Sequence, residues 1–302
     1  VPLIITNCSK RKRGSLDPSL HAENLEAGEL DAVAREWSGR LSKAKNVSRA
    51  QDLYAGRAFV EANRAADILN SPLAVVSAGL GLIDGSTQIP SYSLTTAQRD
   101  PDNILRKIKA RPSDWWSVIQ SRSPFRSHAI ETEAGPILAA LSSGYLAMVA
   151  EDWAKWPTER LARLRLFTKE KPAGIAAPLI VAWMPYDDRL DALGNGHAGT
   201  QGDFAQRAMR HYAQAVGVTG TQAENRDAVR HHLEGLSARQ VPKRRRHSDE
   251  EIKSLVRTHW VAMEGRSGAM LRYLRDSLGV ACEQQRFKNL FGDIAIKQRD
   301  AQ

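Results

Sequence analysis

The sequence predicts an α/β protein: a mostly parallel central sheet flanked by helices, followed by a small all-α helix-turn-helix module. Three observations carry this. Val1-Pro-Leu-Ile-Ile-Thr6, Leu73-Ala-Val-Val-Ser-Ala78 and Pro136-Ile-Leu-Ala-Ala-Leu141 are short apolar runs of the kind that form strands buried on both faces. Each runs into small or polar residues of the sort that line the crevice beyond strand carboxyl ends. From residue 241 onward, 13 Lys/Arg stand against 8 Asp/Glu, while the rest of the chain has 30 against 26. The tail is the basic part.

The totals fit that architecture. At 302 residues the chain can hold one large domain and an appendage. Hydrophobic content of 42% and charged content of 25% are those of a globular protein. No apolar run reaches the roughly 18–20 residues of a membrane span, so no membrane partner is expected. Val1 to Thr6 reads as a strand, with no signal peptide before it. Two cysteines, Cys8 and Cys282, stand at opposite ends, which argues against a disulfide framework or a zinc site. A reducing cytoplasm is the expected setting. The net charge of +9 favours a polyanionic partner.

Taken in order, the first strand opens into Asn7-Cys-Ser-Lys-Arg-Lys-Arg13. Here Asn7, Cys8, Ser9 and Lys10 make a candidate anion site; a solvated basic turn is the alternative. Leu30, Val33, Trp37 and Leu41 mark a helix inside an excursion, 15–46, with no evident chemistry. Arg49 opens a second helix running to about Leu69. In its first turn Asp52 either caps free N–H groups or shares a pocket with Tyr54 and the Asn7–Lys10 loop. The strand 73–78 then meets Gly79 and Gly81, which places Ser77, Gly79, Asp84 and Tyr92 at a pocket mouth. A dinucleotide fingerprint is excluded, because Asp84 stands where the third glycine belongs.

A helix is expected over Thr96 to Gln120, with Ile104, Ile108, Trp115, Trp116 and Ile119 inward. The strand 136–141 ends at Ser142-Ser-Gly-Tyr145, and Leu146 to Trp156 is amphipathic. Arg163–Phe167 and Pro178–Trp183 read as further strands. The latter leads into Tyr186, Asp187, Asp188 and Arg189, a candidate base with its orienting partner. Gly194 to Gly202 reads as a flexible loop able to close over a ligand, with His197 at the surface. Asp203 is the expected cap of a helix over Phe204–Val216. Residues 1–235 thus form the α/β domain, 236–248 a basic linker and 249–302 the helical domain. The linker contributes Lys243, Arg244, Arg245 and Arg246. Ser248 and Glu251 form a capping box, and helices are expected at 249–263, 267–277 and 282–291. Gln284, Gln285, Arg286 and Lys288 face outward over a core of Leu271, Leu274, Leu278, Phe287 and Leu290. A DNA-binding helix-turn-helix fits this, with a three-helix protein-interaction module as the alternative.

Cys8-Ser-Lys-Arg-Lys12, Ala50-Gln-Asp-Leu-Tyr-Ala-Gly56, Ser77-Ala-Gly-Leu-Gly-Leu-Ile83 and Pro90-Ser-Tyr92 together resemble a bacterial family with Cys-Ser-x-x-Lys, Asp-Leu-Tyr and Ser-Ala-x-x-Gly-Leu motifs. The first motif is similar to one in the uracil-DNA-glycosylase-like domain of archaeosine synthases. Phage-defence DNA glycosylases acting on glucosylated or hypermodified bases lie near this group. The resemblance spans about Val1 to Leu94, and more loosely Pro136 to Ala208. It lacks the Gly-Gln-Asp-Pro-Tyr and His-Pro-Ser motifs of true uracil-DNA glycosylases.

The resemblance implies a three-layer glycosylase-like fold and an N-glycosidic-bond hydrolase acting on a modified base, such as glucosylated hydroxymethylcytosine in phage DNA. Double-stranded DNA is then the partner, no obligate protein partner is implied, and neither metal nor cofactor is required. Asp84, Asp187 and then Asp52 are the candidate carboxylates; Lys10, Ser77 and Arg189 would grip the base or its phosphate. Tyr54 and Tyr92 would stack on a flipped-out base. A base-modifying transferase and a nucleotide-sensing DNA-binding regulator are the alternatives.

Overall fold

The computed structural model describes residues 1–194, 196–238 and 244–299, and the chain divides into two compact units, Val1–Arg239 and Gln240–Gln302. In the first unit, β1 (Leu3–Asn7) is followed by α1 (Leu30–Lys43), β2 (Ser48–Arg49) and α2 (Ala50–Leu53). Next, α3 (Arg57–Leu69) leads to β3 (Leu73–Ser77), which folds straight back as β4 (Gly81–Asp84). β5 (Gln88–Ile89) pairs with β2. After α4 (Pro112–Arg122) and α5 (Ala129–Thr132) come β6 (Ile137–Ala140), α6 (Ser143–Trp153), α7 (Thr158–Arg163) and β7 (Leu164–Phe167). α8 (Ala177–Ile180), α9 (Phe204–His211) and α10 (Gln222–His232) complete the unit.

The sheet order is β4-β3-β1-β6-β7, with β4 antiparallel and the other four strands parallel. β1 lies in the middle, and Leu3, Ile4 and Ile5 are wholly buried. From β1 the chain crosses by α3 to β3 on one side; from β6 it crosses by α6 to β7 on the other. Right-handed crossovers in opposite directions put their helices on opposite faces. Accordingly α3 packs with α9 against β1 and β6, while α4 packs between α1 and α6. No described helix is long and apolar enough to cross a membrane.

Several elements depart from the sequence expectations. The helix expected over 49–69 is split at Tyr54-Ala-Gly56. There the 11–13 loop takes the backbone, with Arg13 N–H donating to Leu53 O and Ala55 N–H to Arg11 O, both at 2.9 Å. Gly56, at φ 119°, starts α3 from a conformation that side chains disfavour. The expected helix over 96–120 shrinks to α4 and one preceding turn at Ile104–Arg106. Pro112 explains the start of α4: it occupies the first helical position and holds Arg111 extended. Pro178–Trp183 is a helical turn with one bridge from Trp183 to Leu166, an ambiguity that short apolar runs carry. The expected strand 163–167 forms as β7, is buried on both faces, and its Arg165 donates to Asn225 Oδ1 and Gly220 O, at 2.6 and 2.8 Å.

The second unit is three helices with a two-residue parallel strand pair. β8 (Arg245–Arg246) pairs with β9 (Val280–Ala281), so these arginines belong to the folded unit and not to a linker. α11 (Asp249–Thr258), α12 (Ser267–Asp276) and α13 (Gln284–Arg299) pack around Ile252, Val256, Met270, Leu274 and Phe287. The Ser248/Glu251 capping box forms as expected. α11 ends at Thr258, short of 263, and Leu278 is exposed instead of joining the core.

Candidate active site

In an open parallel sheet, the place for a ligand is where neighbouring strands send their chains to opposite sides. Here that is the gap between the carboxyl ends of β1 and β6. Asn7 spans it. Its Oδ1 accepts the Ser142 N–H at 3.1 Å and the Gln206 amide at 3.2 Å, while its own amide donates to Cys8 O. Gln206, on α9, also reaches Thr6 Oγ1 and Ala140 O, tying both strand ends to the helix layer.

Just beyond Asn7, the buried Cys8 sulfur lies 2.9 Å from the Tyr145 hydroxyl, at the start of α6. Lys10 is ion-paired to Asp100, and Ser9 Oγ donates to Arg11 O at 2.7 Å. Lys12 turns inward, donates to Ser9 O at 3.3 Å and sits 4.3 Å from the centre of the Tyr92 ring. Cys8, Ser9, Lys10, Lys12, Asp100 and Tyr145 all face one small cavity of about 20 Å³. A second cavity of about 210 Å³ adjoins the end of β6, where Ser142, Lys169 and Gln206 line it.

Under this crevice runs a sealed hydroxyl relay. Ser77 Oγ accepts the N–H groups of Gly79 and Leu80, at 3.2 and 3.0 Å, which fills both of its lone pairs. Its hydrogen therefore goes to Tyr92 OH, and the Tyr92 hydrogen goes to Tyr54 OH at 2.7 Å. The hairpin turn that carries this relay is anchored by two indoles: Trp37 donates to Gly79 O and Trp115 to Ala78 O, both at 2.7 Å. Gly79 must lack a side chain, since a Cβ there would stand 2.5 Å from the Tyr92 ring.

Burial, with the nearby Cys8, pushes the Tyr54, Tyr92 and Tyr145 hydroxyls well above their ordinary range. Burial lowers the Lys12 ammonium, opposed by Cys8 and Asp102. Burial would raise Asp100, but hydrogen bonds from Lys10 and the Asp102 N–H hold it below the usual carboxylate value.

The structure places Asp84 and Asp52 away from this crevice and commits Asp187 to Arg189. Asp84 pairs in register with Ala74, at the amino end of β3, because Gly79-Leu-Gly81 is a hairpin turn and not a pocket mouth. It accepts from Ser127 Oγ and lines, with Asp52, an open groove of about 680 Å³ at the amino ends of the strands. Asp52 is paired there with Arg49 at 2.7 Å. Asp187 caps the turn 188–192 and is gripped by Arg189 through both carboxylate oxygens, at 2.9 Å. Arg189 is further committed to Leu233 O, and Asp188 faces Lys169 at 3.5 Å. Tyr54 and Tyr92 are 1% and 0% exposed, so neither ring is open to stacking on a base.

The loop 194–202 is also unlike its sequence expectation. Arg207 holds His197 O and Thr200 O, Arg210 holds Gly196 O, and Arg57 holds Ala198 O. Asp203 stands at the N-cap position of α9 as expected, but its side chain makes no capping hydrogen bond; it accepts the Thr200 N–H and pairs with Arg207 at 2.6 Å. His197 is buried, and burial beside Arg210 and Arg207 lowers it to about 4. In the second unit, Lys243 lies outside the described residues. Arg244 is paired with Asp276 and Arg286 with Asp249, leaving Arg245, Arg246, Gln284, Gln285 and Lys288 exposed.

Sequence reasoning missed Lys12, Asp100, Tyr145 and Gln206 as site residues. Tyr145 carried a usable signal, standing in the small-residue stretch after a buried strand. Asp100 did not, because it lies within the span read as a helix. No protein-family model, curated protein or solved structure matches this chain.

Proposed function

We propose that this protein is a DNA glycosylase that hydrolyses the N-glycosidic bond of a modified base, with its chemistry in the crevice over β1 and β6. One observation carries the reading: a carboxylate, a cationic loop and a partly exposed tyrosine face one cavity at the switch point of a parallel sheet. Asp100 would steady positive charge on the sugar and orient water. Lys12 would take up charge on the departing base, and the Tyr145 ring would stack on it once flipped out. Lys10 and Arg11 would hold the flanking phosphates. Since the cavity is only about 20 Å³, a base enters when the Lys10–Asp100 pair opens.

A glycosylase-like layering of the first unit and a helix-turn-helix role for the second belong to the same proposal. Arg245, Arg246, Gln284, Gln285 and Lys288 would add DNA affinity, and an antiphage role rests on the sequence resemblance alone. The test is incubation of the purified protein with unmodified, hydroxymethylated and glucosylated DNA, scoring abasic sites and released base by mass spectrometry. Base release from one modified DNA, lowered about 100-fold or more in Asp100→Asn with DNA affinity kept, is the expected result. Full activity in Asp100→Asn would sink the assignment, and binding without base release from any of the three would count against a glycosylase.

A further inference from the structure

We propose that His21, Glu23 and Asp102 form a binding site for a divalent transition-metal ion, of which Zn²⁺ is the type. Among the described residues they are the one group of three His, Cys, Asp or Glu side chains whose ligand atoms lie within 4.8 Å of one another. His21 Nδ1 is 3.6 Å from an Asp102 oxygen and 3.9 Å from a Glu23 oxygen. Those separations are too long for hydrogen bonds. They suit ligands spread around an ion at roughly 2.0–2.2 Å from each, after small side-chain adjustments.

A second observation points the same way. His21 Nδ1 is fully buried and has no hydrogen-bond partner, so a stranded ring nitrogen points between two carboxylates. Asp102 is 5% exposed, and its Oδ1 already accepts the Glu23 N–H at 3.0 Å, which turns Oδ2 toward His21. One imidazole and two carboxylates is a donor set for Zn²⁺ or Mn²⁺; Ca²⁺ takes six to eight oxygens. Three protein ligands leave a position for water.

The frame that holds these ligands is rigid. Ser93 N–H donates to Leu20 O and Ala22 N–H to Ser93 O, while Thr95 N–H donates to Asp102 O. Lys107 Nζ donates to Glu23 O at 2.7 Å. The ion would therefore clip the 15–29 excursion to the 95–107 loop. Thr95 and Asp100 of that second segment, with Ser93 just before it, line the crevice, so the clip would brace its wall. This inference stands apart from the glycosylase reading and is tested without it.

The experiment is calorimetric titration of the full chain, stripped with EDTA, with ZnCl₂, repeated on Glu23→Gln and His21→Ala. One equivalent of Zn²⁺ should bind with micromolar or tighter affinity, weakened about tenfold or more in each variant. Glu23 is half exposed, so Glu23→Gln should leave the circular dichroism spectrum unchanged and remains informative if His21→Ala misfolds. Co²⁺ substitution should give visible bands that both variants lose. A double variant of the exposed His231 and its neighbour His232, each to Ala, should bind as the parent does. Absence of Zn²⁺ binding, unchanged affinity in Glu23→Gln, or loss only in the His231/His232 variant would each overturn the site.

Discussion

The two ends of the parallel sheet are built in opposite ways. At the amino end lies the larger opening, about 680 Å³, lined by Asp52, Asp67, Asp84, Arg126 and His128. At the carboxyl end the cavities are only about 20 and 210 Å³, yet Asn7, Cys8, Lys12, Tyr54, Ser77, Tyr92 and Tyr145 are held by hydrogen bonds and packing beside the smaller one. The contrast teaches that volume alone is a poor guide to chemistry. Reacting groups must be held in place before substrate arrives, and hydrogen-bonded, desolvated groups are held better than exposed ones. The Asp52 side chain is 44% exposed, where water can screen it, against 10% for Asp100.

The largest expected effect comes from acid. Burial, with His197, His232 and Arg210 facing it, lowers His211 to about 4, and His197 is lowered to about 4 as well. Tyr186 OH meets His211 Nδ1 at 2.8 Å. Between pH 6.5 and 4 the unfolded chain binds protons that the folded chain refuses. Stability should be fully present above pH 6.5 and fall by on the order of 3 kcal/mol as pH drops to 4. Urea titrations at pH 7 and pH 4.5 measure this, and a flat profile would show that these histidines are not sealed. Under the glycosylase reading, the next effect is the drop of about 100-fold in base release in Asp100→Asn, against almost no change in Asp84→Asn. Equal losses in the two variants would erase the distinction between the ends.

Tyr92→Phe should cost about 1–3 kcal/mol, because it strands Ser77 and Tyr54 in a dry interior. Arg126→Ala, in the open groove, should stay within about 0.5 kcal/mol on the same urea assay. If the order is reversed, the relay under the crevice is not the stabilising element described here.

How far the sequence disclosed this can be traced residue by residue. The runs 3–7, 73–77 and 137–140 were legible as buried strands, because apolar runs bounded by small polar residues admit few other readings. β4 was not, since two glycines in three residues suggest a loop as readily as a hairpin turn. That single ambiguity moved Asp84 from one end of the sheet to the other. Cys8, Ser9 and Lys10 were legible as lining of the strand-end crevice because they follow the central strand directly. Arg207 and Arg210 gave no such signal: among their partners are Asp191 and Glu61, 16 and far more residues away, and charge pairing at that range leaves no local pattern. His21 and Glu23 were hidden for the same reason, in an excursion with no evident chemistry and 79 residues before Asp102 in the case of Glu23.

One amide governs how this molecule would choose what it admits. Because Asn7 is bonded to Ser142 across the gap, and Gln206 reaches Asn7 and Ala140 as well, the strand ends cannot spread to fit a guest. Under the glycosylase reading, the strand-end floor of the crevice would act as a gauge of fixed width while the Lys10–Asp100 pair opens beside it. Discrimination would then come from which groups pass the gauge, and enlarging it by Asn7→Ala would blur selectivity before it altered the fold.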